Sequence, residues 1–305
     1  MSEVSAVTIA GAGALGRALA ERLPLARLVG PSALPEGRLW RADLTSIPEA
    51  EVALAGTRTL VVLAQARRAP ARLTRADLLD VDRLIADSLA RAAQRSGVEH
   101  LVLFACGPDD PREGLLRASG IPLSVLRGGG PDPLAQLEAL VRRGHGPDVE
   151  AEPWQGAPPQ AGPRDGLLVC SVQRYAVGGA WTAQKLARAY LDWLPGQVAT
   201  VRVTSSHGAS TIHAFGSRAL MLRLDEGRSE AQSVVYDVAD GALVSRGLSG
   251  ARFEFRVLLD GSSALSALIG FEPSLPWPVY HVTQALMHER VMKRFGAWLS
   301  KAEVS

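Results

Sequence analysis

The sequence predicts an α/β chain in two parts: a doubly wound parallel sheet, then an α+β domain with an antiparallel sheet and a long C-terminal helix. Three observations carry this. Up to about residue 130, short apolar runs alternate with stretches of helical periodicity. A Pro- and Gly-rich stretch follows, and beyond it short strand-like runs are joined by Asp-Gly and other Gly-containing turns. Apolar runs without alternation mark strands covered on both faces, as crossover helices leave them. Closely spaced short strands with turn signals mark an antiparallel sheet.

Residues 6–10 (AVTIA) read as a buried strand and 14–23 as the helix after it. A second strand at 25–29 ends at Gly30-Pro31, and TLVVLAQ (59–65) is a third buried run. Residues 74–96 carry Leu78, Leu79, Val81, Leu84, Ile85, Leu89, Ala92 and Ala93 on a helical stripe, with Thr74 as N-cap and Gly97 as terminator. HLVLFAC (100–106) is a strand, 111–119 a short helix, and 122–127 a strand ended by Gly128-Gly129-Gly130. The chain is then expected to pass quickly into a linker, GHGPDVEAEPWQGAPPQAGPRDG. These signals place a nucleotide-type domain at 1–145, a linker or long loop at 146–166 and a second domain at 167–305. Within the second, a helix is expected at 180–194 and strands at 198–204, 210–215, 218–224, 231–238, 251–259 and 263–270. One long helix at 278–300 closes it, with Val282, Leu286, Val291, Phe295 and Leu299 broadly on one side.

Composition narrows the function classes. The formal charge of the 305 residues is +2, too balanced to point to nucleic acid or an anionic membrane as partner. Positive charge is nearly all arginine, the only lysines being Lys185, Lys293 and Lys301. The two cysteines, Cys106 and Cys170, lie far apart without metal-type spacing, which fits a reducing compartment. No run is long and apolar enough for a membrane span, and the first residues lack signal-peptide character, so a cytoplasmic location is expected. The expected partner is a small-molecule substrate or a hydrophobic ligand, with a homodimer left open. No metal site is expected: His207 and His213 lack a carboxylate at ligand spacing.

Gly11, Gly13 and Gly16 form G-x-G-x-x-G between the first strand and its helix, with Ala14 and Leu15 in the same turn. The first glycine permits the tight turn, the second lets the backbone approach a pyrophosphate, and the third lets helix pack on strand. The phosphate then lies at the positive helix end. This is the Rossmann pattern, and it predicts dinucleotide binding. The second strand ends LVGPS, without the carboxylate that would hold free ribose hydroxyls. Ser32, Arg38 or Arg41 would instead meet a 2′-phosphate, which favours NADP(H) over NAD(H); the competing reading has these arginines simply facing water.

The runs GAGALGRALAERL, RADLTS (41–46), TLVVLAQ (59–65), ARAAQRSGVEHLVLFACG (90–107) and LLRASGIPLSVLRGG (115–129) together resemble an atypical short-chain dehydrogenase/reductase, of the branch related to nucleoside-diphosphate-sugar epimerases. The resemblance covers roughly residues 6–130. It implies that Asp43 and Leu44 lie at the adenine, that Ala64 and Gln65 line the cofactor ribose, and that Ala105 and Cys106 approach the nicotinamide. It also implies a Tyr-x-x-x-Lys pair with an upstream Ser or Thr, and these are missing. No tyrosine or lysine occurs before residue 175, and no tyrosine has a lysine four positions on. The expected serines are replaced by Ala105-Cys106-Gly107.

Weaker candidates for proton transfer remain. Cys106 reads as a thiol in place of serine or as a small apolar strand residue. Asp109 and Asp110 read as carboxylates near the nicotinamide or as a turn and helix cap before Pro111. His281, with Gln284 and His288, reads as a pocket-lining acid–base group or as a bystander; seven residues apart, the two histidines are expected on about the same helix face. In 251–257, Phe253, Phe255 and Val257 alternate with Arg252, Glu254 and Arg256. Aromatics are expected in the core and charges paired on the outer face, unless the charged face is the concave one and holds a polar ligand group.

The order helix, antiparallel sheet, long helix is also similar to helix-grip domains of the START/polyketide-cyclase type, which implies an apolar cavity beneath the terminal helix. The leading expectation is an atypical NAD(P)-dependent short-chain oxidoreductase acting on a small or hydrophobic carbonyl substrate. Two others stand beside it: a catalytically inactive NADP(H)-binding sensor or scaffold, and a cyclase-like or hydrophobic-ligand-binding protein using the C-terminal cavity.

Overall fold

The structure is a computed structural model and describes residues 6–31, 39–64, 73–74, 77–105, 107–128, 132–144, 148–150, 169–178, 180–245 and 250–302. The chain divides into two compact units, one of residues 1–67 with 81–162 and one of 68–80 with 163–305.

In the first unit, strand β1 (Val7–Ala10) leads through the glycine turn into helix α1 (Ala14–Arg22), then β2 (Arg27–Gly30), β3 (Leu39–Arg41), α2 (Ile47–Leu54) and β4 (Thr59–Val62). After the two-residue strand β5 (Leu73–Thr74), which belongs to the other unit, come α3 (Leu78–Arg95), β6 (His100–Ala105), α4 (Pro111–Ala118), β7 (Leu123–Arg127), α5 (Pro133–Arg143) and β8 (Val149–Glu150). The sheet order is β3-β2-β1-β4-β6-β7-β8 and every pairing is parallel. This is the doubly wound, Rossmann-type arrangement, with order reversal between β1 and β4.

The strands are covered as their composition requires: all six residues of β6 are buried, and Leu60, Val61 and Val62 of β4 are fully so. Helices α1 and α5 pack together, and Leu19 and Leu137 share a core with Ile9, Val61, Val102 and Leu126. Buried polar groups on the strands find partners, Thr8 with Thr57 at 2.6 Å and His100 Nε2 with Ser124 Oγ at 3.0 Å.

Three sequence expectations change here. Thr74 does not cap α3; it lies in β5, and the Asp77 carboxylate accepts from the Leu79 amide instead. The chain does not pass straight from the glycines into a linker. Asp132 accepts from the Ala135 amide and Pro133 takes the first helical position, so α5 forms and buries Leu137, Leu140 and Val141. Val149–Glu150, inside the stretch read as linker, then pair with β7; residues 151–168 lie outside the described residues.

In the second unit, β9 (Val169–Ala176) precedes α6 (Ala183–Trp193), which is capped by Thr182 and followed by a single 3-10 turn. A meander follows of β10 (Val201–Ser206), β11 (Ala209–Ala214), β12 (Ser217–Leu224), β13 (Ser233–Asp240), β14 (Arg252–Val257) and β15 (Ser263–Phe271). Two helices close the unit, α7 (Trp277–Val282) and α8 (Gln284–Leu299). The order is β10-β11-β12-β13-β14-β15-β9-β5, antiparallel except where β5 meets β9. The single helix expected over 278–300 is therefore two, broken at Thr283, whose φ of −121° and ψ of −83° leave the helical region.

Period two in β14 sorts its side chains as expected on one face and not on the other. Phe253 and Phe255 join Tyr190, Trp193 and Phe295 in an aromatic core; ring centroids of Tyr190 and Phe295 stand 5.2 Å apart at 79°. Arg252, Glu254 and Arg256 do not form a solvated outer face. They are 5%, 1% and 1% exposed and pair along their own strand, Arg256 Nε donating to Glu254 Oε1 at 2.6 Å with Ser233 Oγ on the same oxygen at 2.8 Å. Among the described residues no helix is long and apolar enough to cross a membrane.

Candidate functional site

The glycine turn takes the conformation its spacing predicts. Gly11 has φ of +127°, and a Cβ there would stand 2.7 Å from the Ala64 nitrogen, so the turn presses on the end of β4. A Cβ on Gly16 would come within 1.9 Å of the Gly11 carbonyl oxygen, which fixes how closely α1 returns over the turn. Gly13 differs from both: among the described residues nothing lies within 4 Å of the place its Cβ would take. It is the N-cap of α1, no side chain caps that end, and Gly13 and Ala14 are exposed while Leu15 is half-buried. Helix-end amides facing open space form an anion site. Gly30 closes the floor, since a Cβ there would meet the Ala12 Cβ at 2.7 Å.

The described resemblance-derived positions lie at or just beyond the carboxyl ends of strands of this sheet. Ala64 follows β4 and is buried against Gly11. The chain after β3 runs beside the end of β2, the Ala42 amide donating to the Gly30 carbonyl at 3.0 Å. There the Asp43 carboxylate accepts from Thr45 N at 2.9 Å and Thr45 Oγ1 at 2.6 Å, and Leu44 is buried. Ala105 is wholly buried at the end of β6. Ser32, Arg38, Gln65 and Cys106 lie outside the described residues. Arg41 is exposed, and the register sets it opposite Gly30 at the end of β2.

A residue the sequence reading passed over sits behind these strand ends. Arg112 is 0% exposed. Its Nη1 donates to the Ala64 carbonyl at 2.8 Å, its Nη2 to the Phe104 carbonyl at 2.8 Å, and Nε and Nη2 to the Asp110 carboxylate at 2.8 and 2.6 Å. One guanidinium thus ties the carboxyl ends of β4 and β6 to the start of α4. Asp110 also accepts from the Arg112 amide, so it is the helix cap before Pro111, while Asp109 is exposed in the turn.

No family model matches this sequence, and no curated protein does. Solved structures align with part of it. A uronate dehydrogenase from Agrobacterium tumefaciens is 20% identical at a TM-score of 0.38, covering 48% of this chain and 75% of its own. The Bordetella bronchiseptica enzyme WbmG in complex with NAD and UDP is 21% identical at 0.35, covering 41% and 53%. A nucleoside-diphosphate-sugar epimerase from Staphylococcus aureus is 17% identical at 0.33, covering 45% and 54%. This chain spans about half the length of the last two. Likeness at this level says nothing of substrate or reaction.

In the second unit the histidines part company. His281 is exposed on α7, whereas His288 lies on the inward side of α8 with Ala285, Met292 and Phe295. The break at Thr283 puts the two on different helices, so they share no face. Gln284 Oε1 and His288 Nε2, one turn apart, are both buried without a hydrogen-bond partner among the described residues. Burial pushes the His288 imidazole down to about 4, with Glu289 opposing the shift weakly, so it is neutral at pH 7. His213 meets Thr204 at 3.4 Å across β10 and β11, and among the described residues no group of His, Cys, Asp or Glu is placed to hold a metal.

Beneath the terminal helix, where the helix-grip likeness implies an apolar cavity, aromatic rings pack against one another. Phe295, fully buried, touches Tyr175, Tyr190 and Trp193 at centroid distances of 5.7, 5.2 and 5.2 Å. Two hollows open in this unit, one of them between α8 and β9. That one, of about 620 Å³, is bordered by the Asp80–Arg174 and Glu289–Lys293 ion pairs. The other, of about 600 Å³, lies beside α6.

Proposed function

We propose that the first unit binds a nicotinamide dinucleotide at the Gly11–Gly16 turn, NADP(H) in preference to NAD(H), and that the chain is an oxidoreductase of atypical short-chain type acting on a small or hydrophobic carbonyl substrate. The observation that carries the reading is the contrast among the three glycines. Two are demanded by contacts inside the protein, and the third meets no described residue at an uncapped helix end, where the close approach of a pyrophosphate supplies a reason for it. Arg41 opposite Gly30, with no carboxylate in the run LVGPS that ends the second strand, supports the phosphorylated cofactor.

Bound there, the nicotinamide would supply or accept hydride, and the protein's part is to hold the two reactants and exclude water. With no tyrosine or lysine ahead of residue 175, the first unit supplies neither as proton donor, which leaves water or another of its side chains. The same absence supports a second reading, in which the unit binds NADP(H) and senses it without turnover. Aromatic rings packed beneath α8 weigh against the cyclase-like reading, and the hollow of about 620 Å³ beside that helix leaves it room only at the edge of the core.

Calorimetric titration with NADPH, NADP, NADH and NAD tests this directly. Micromolar binding, tighter for the phosphorylated pair, lost in Gly13→Asp and weakened selectively for that pair in Arg41→Ala, is the expected result. No heat from any of the four on folded protein would refute it. Binding without loss of NADPH absorbance across a panel of aldehydes and ketones would move the assignment to the sensor.

A further inference from the structure

Helices α7 and α8 show water a face that packing within the second unit does not explain. On α8, Ala285, Met292, Phe295 and Leu299 are buried in the core. On the other side Leu286, Arg290, Arg294 and Trp298 follow one another every fourth position, with Met287 beside them and Lys301 in the turn beyond. All are exposed. Val279 and Val282 are exposed on α7, which packs against α8. Five of the eleven large apolar side chains exposed among the described residues therefore fall between Trp277 and Leu299. Surface apolar residues scattered singly need no explanation, but a cluster does.

Positive charge gathers on the same stretch. From 277 to 302 the chain carries Arg290, Lys293, Arg294 and Lys301 against one acid, Glu289, which holds Lys293 at 2.7 Å. The whole-chain charge of +2 conceals this local excess. Among the described residues no ion pair engages Arg290, Arg294 or Lys301. Arg290 and Arg294 stand one turn apart, where like charges repel. The helix dipole favours a cation at the C-terminal end and so accounts for Lys301, but not for Arg290 in the middle of α8.

We propose that this face docks on an anionic lipid surface, with Arg290, Arg294 and Lys301 at the headgroups and Val282, Leu286, Met287 and Trp298 at the acyl boundary. A helix whose exposed face mixes basic and apolar groups binds through buried apolar area and attraction to anionic headgroups together. An acidic peptide would answer the charges and leave the apolar side chains in water; a lipid layer answers both. Tryptophan favours the boundary because its ring is apolar and its N–H polar. Trp298 is held in place by stacking on Phe295, centroids 5.8 Å apart at 16°. Length and charge keep α8 from crossing the layer, so it lies in the plane. The docking face is independent of the dinucleotide site.

Co-sedimentation of the full chain with sucrose-loaded vesicles tests this. Vesicles of phosphatidylcholine and phosphatidylglycerol, mixed two to one, should bind it at least about tenfold more strongly than phosphatidylcholine alone. Salt at about 0.5 M should remove most of that difference. The Arg290→Gln, Arg294→Gln, Lys301→Gln variant should lose at least about tenfold in affinity for the mixed vesicles. The Val282→Gln, Leu286→Gln, Met287→Gln variant should lose at least about fivefold. No preference for the anionic vesicles, or either variant binding like the wild type, would overturn the proposal. An apolar variant that binds normally, with polyglutamate held as tightly as vesicles, would assign the face to an acidic protein instead. All the substituted side chains are exposed, and thermal melts show whether each variant is folded. Should the apolar variant fail to fold, Leu286→Gln alone is read, with at least a halved affinity expected and an unchanged one overturning the proposal.

Discussion

At the scale of single residues, the three glycines of the turn ought to separate ligand binding from folding. Gly16→Ala forces a Cβ against the Gly11 carbonyl and should cost about 2–3 kcal/mol in urea unfolding. Gly13→Ala places its methyl group in open space at a φ of −70°, which any residue adopts, so stability should fall by no more than about 1 kcal/mol. Dinucleotide affinity should nevertheless drop at least about tenfold in that variant, as calorimetry would show. Arg112 behaves in the opposite way. Arg112→Met removes the guanidinium from the buried Asp110 carboxylate and from two strand-end carbonyls, and is expected to cost about 3–5 kcal/mol by the same unfolding measurement. The glycine pattern was legible because its three positions are local and each has a backbone reason. Arg112 was not: the Ala64 carbonyl it binds is 48 positions away in sequence, and nothing in PREGLLRA distinguishes a buried arginine from a solvated one.

Among the elements, α8 carries a pH-dependent weakness. The folded His288 titrates at about 4, below the ordinary 6.5, so between those values the unfolded chain binds more protons than the folded one. Stability contributed by the neutral imidazole is therefore complete above about pH 6.5 and lost as pH falls towards 4, amounting to about 3 kcal/mol. Urea unfolding at pH 7 and pH 4.5 should show this slope in the wild type, and His288→Leu should remove that part of it. The elements that escaped the sequence reading did so for identifiable causes. Strand β9 lacks an apolar alternation because its core face carries Ser171 and Gln173, joined by a 2.8 Å hydrogen bond, and Tyr175, whose hydroxyl pairs with Ser266 at 2.7 Å. The cap and apolar spacing of α5 were present, but Gly128–Gly130 and Pro131 just before it, with Pro133 at its first position, read as loop. The Thr283 break lies within a continuous run of helix-compatible residues and is visible only in backbone angles.

For the molecule as a whole, two units with separate cores confine the expected effect of a cofactor. At a hundredfold excess over Kd, ligand should add about 2.7 kcal/mol to the opening free energy of amides in β1, β4 and β6. Those of β10 to β13 should be unchanged by hydrogen exchange; equal protection of both units would contradict this. The second unit has a different peculiarity in its topology. Its first long strand, β9, pairs with its last, β15, and Tyr175 meets Ser266 across 91 positions of sequence. During synthesis at about 5–20 residues per second, β9 therefore waits on the order of 5–20 seconds for its partner strand. Through that interval it leaves the ribosome with unpaired amides and carbonyls, a template open to any passing strand. The meander from β10 to β13 needs only neighbouring turns and is free to form first. For this half of the chain, the vulnerable state is the nascent one, and slower translation downstream of β9 would lengthen it.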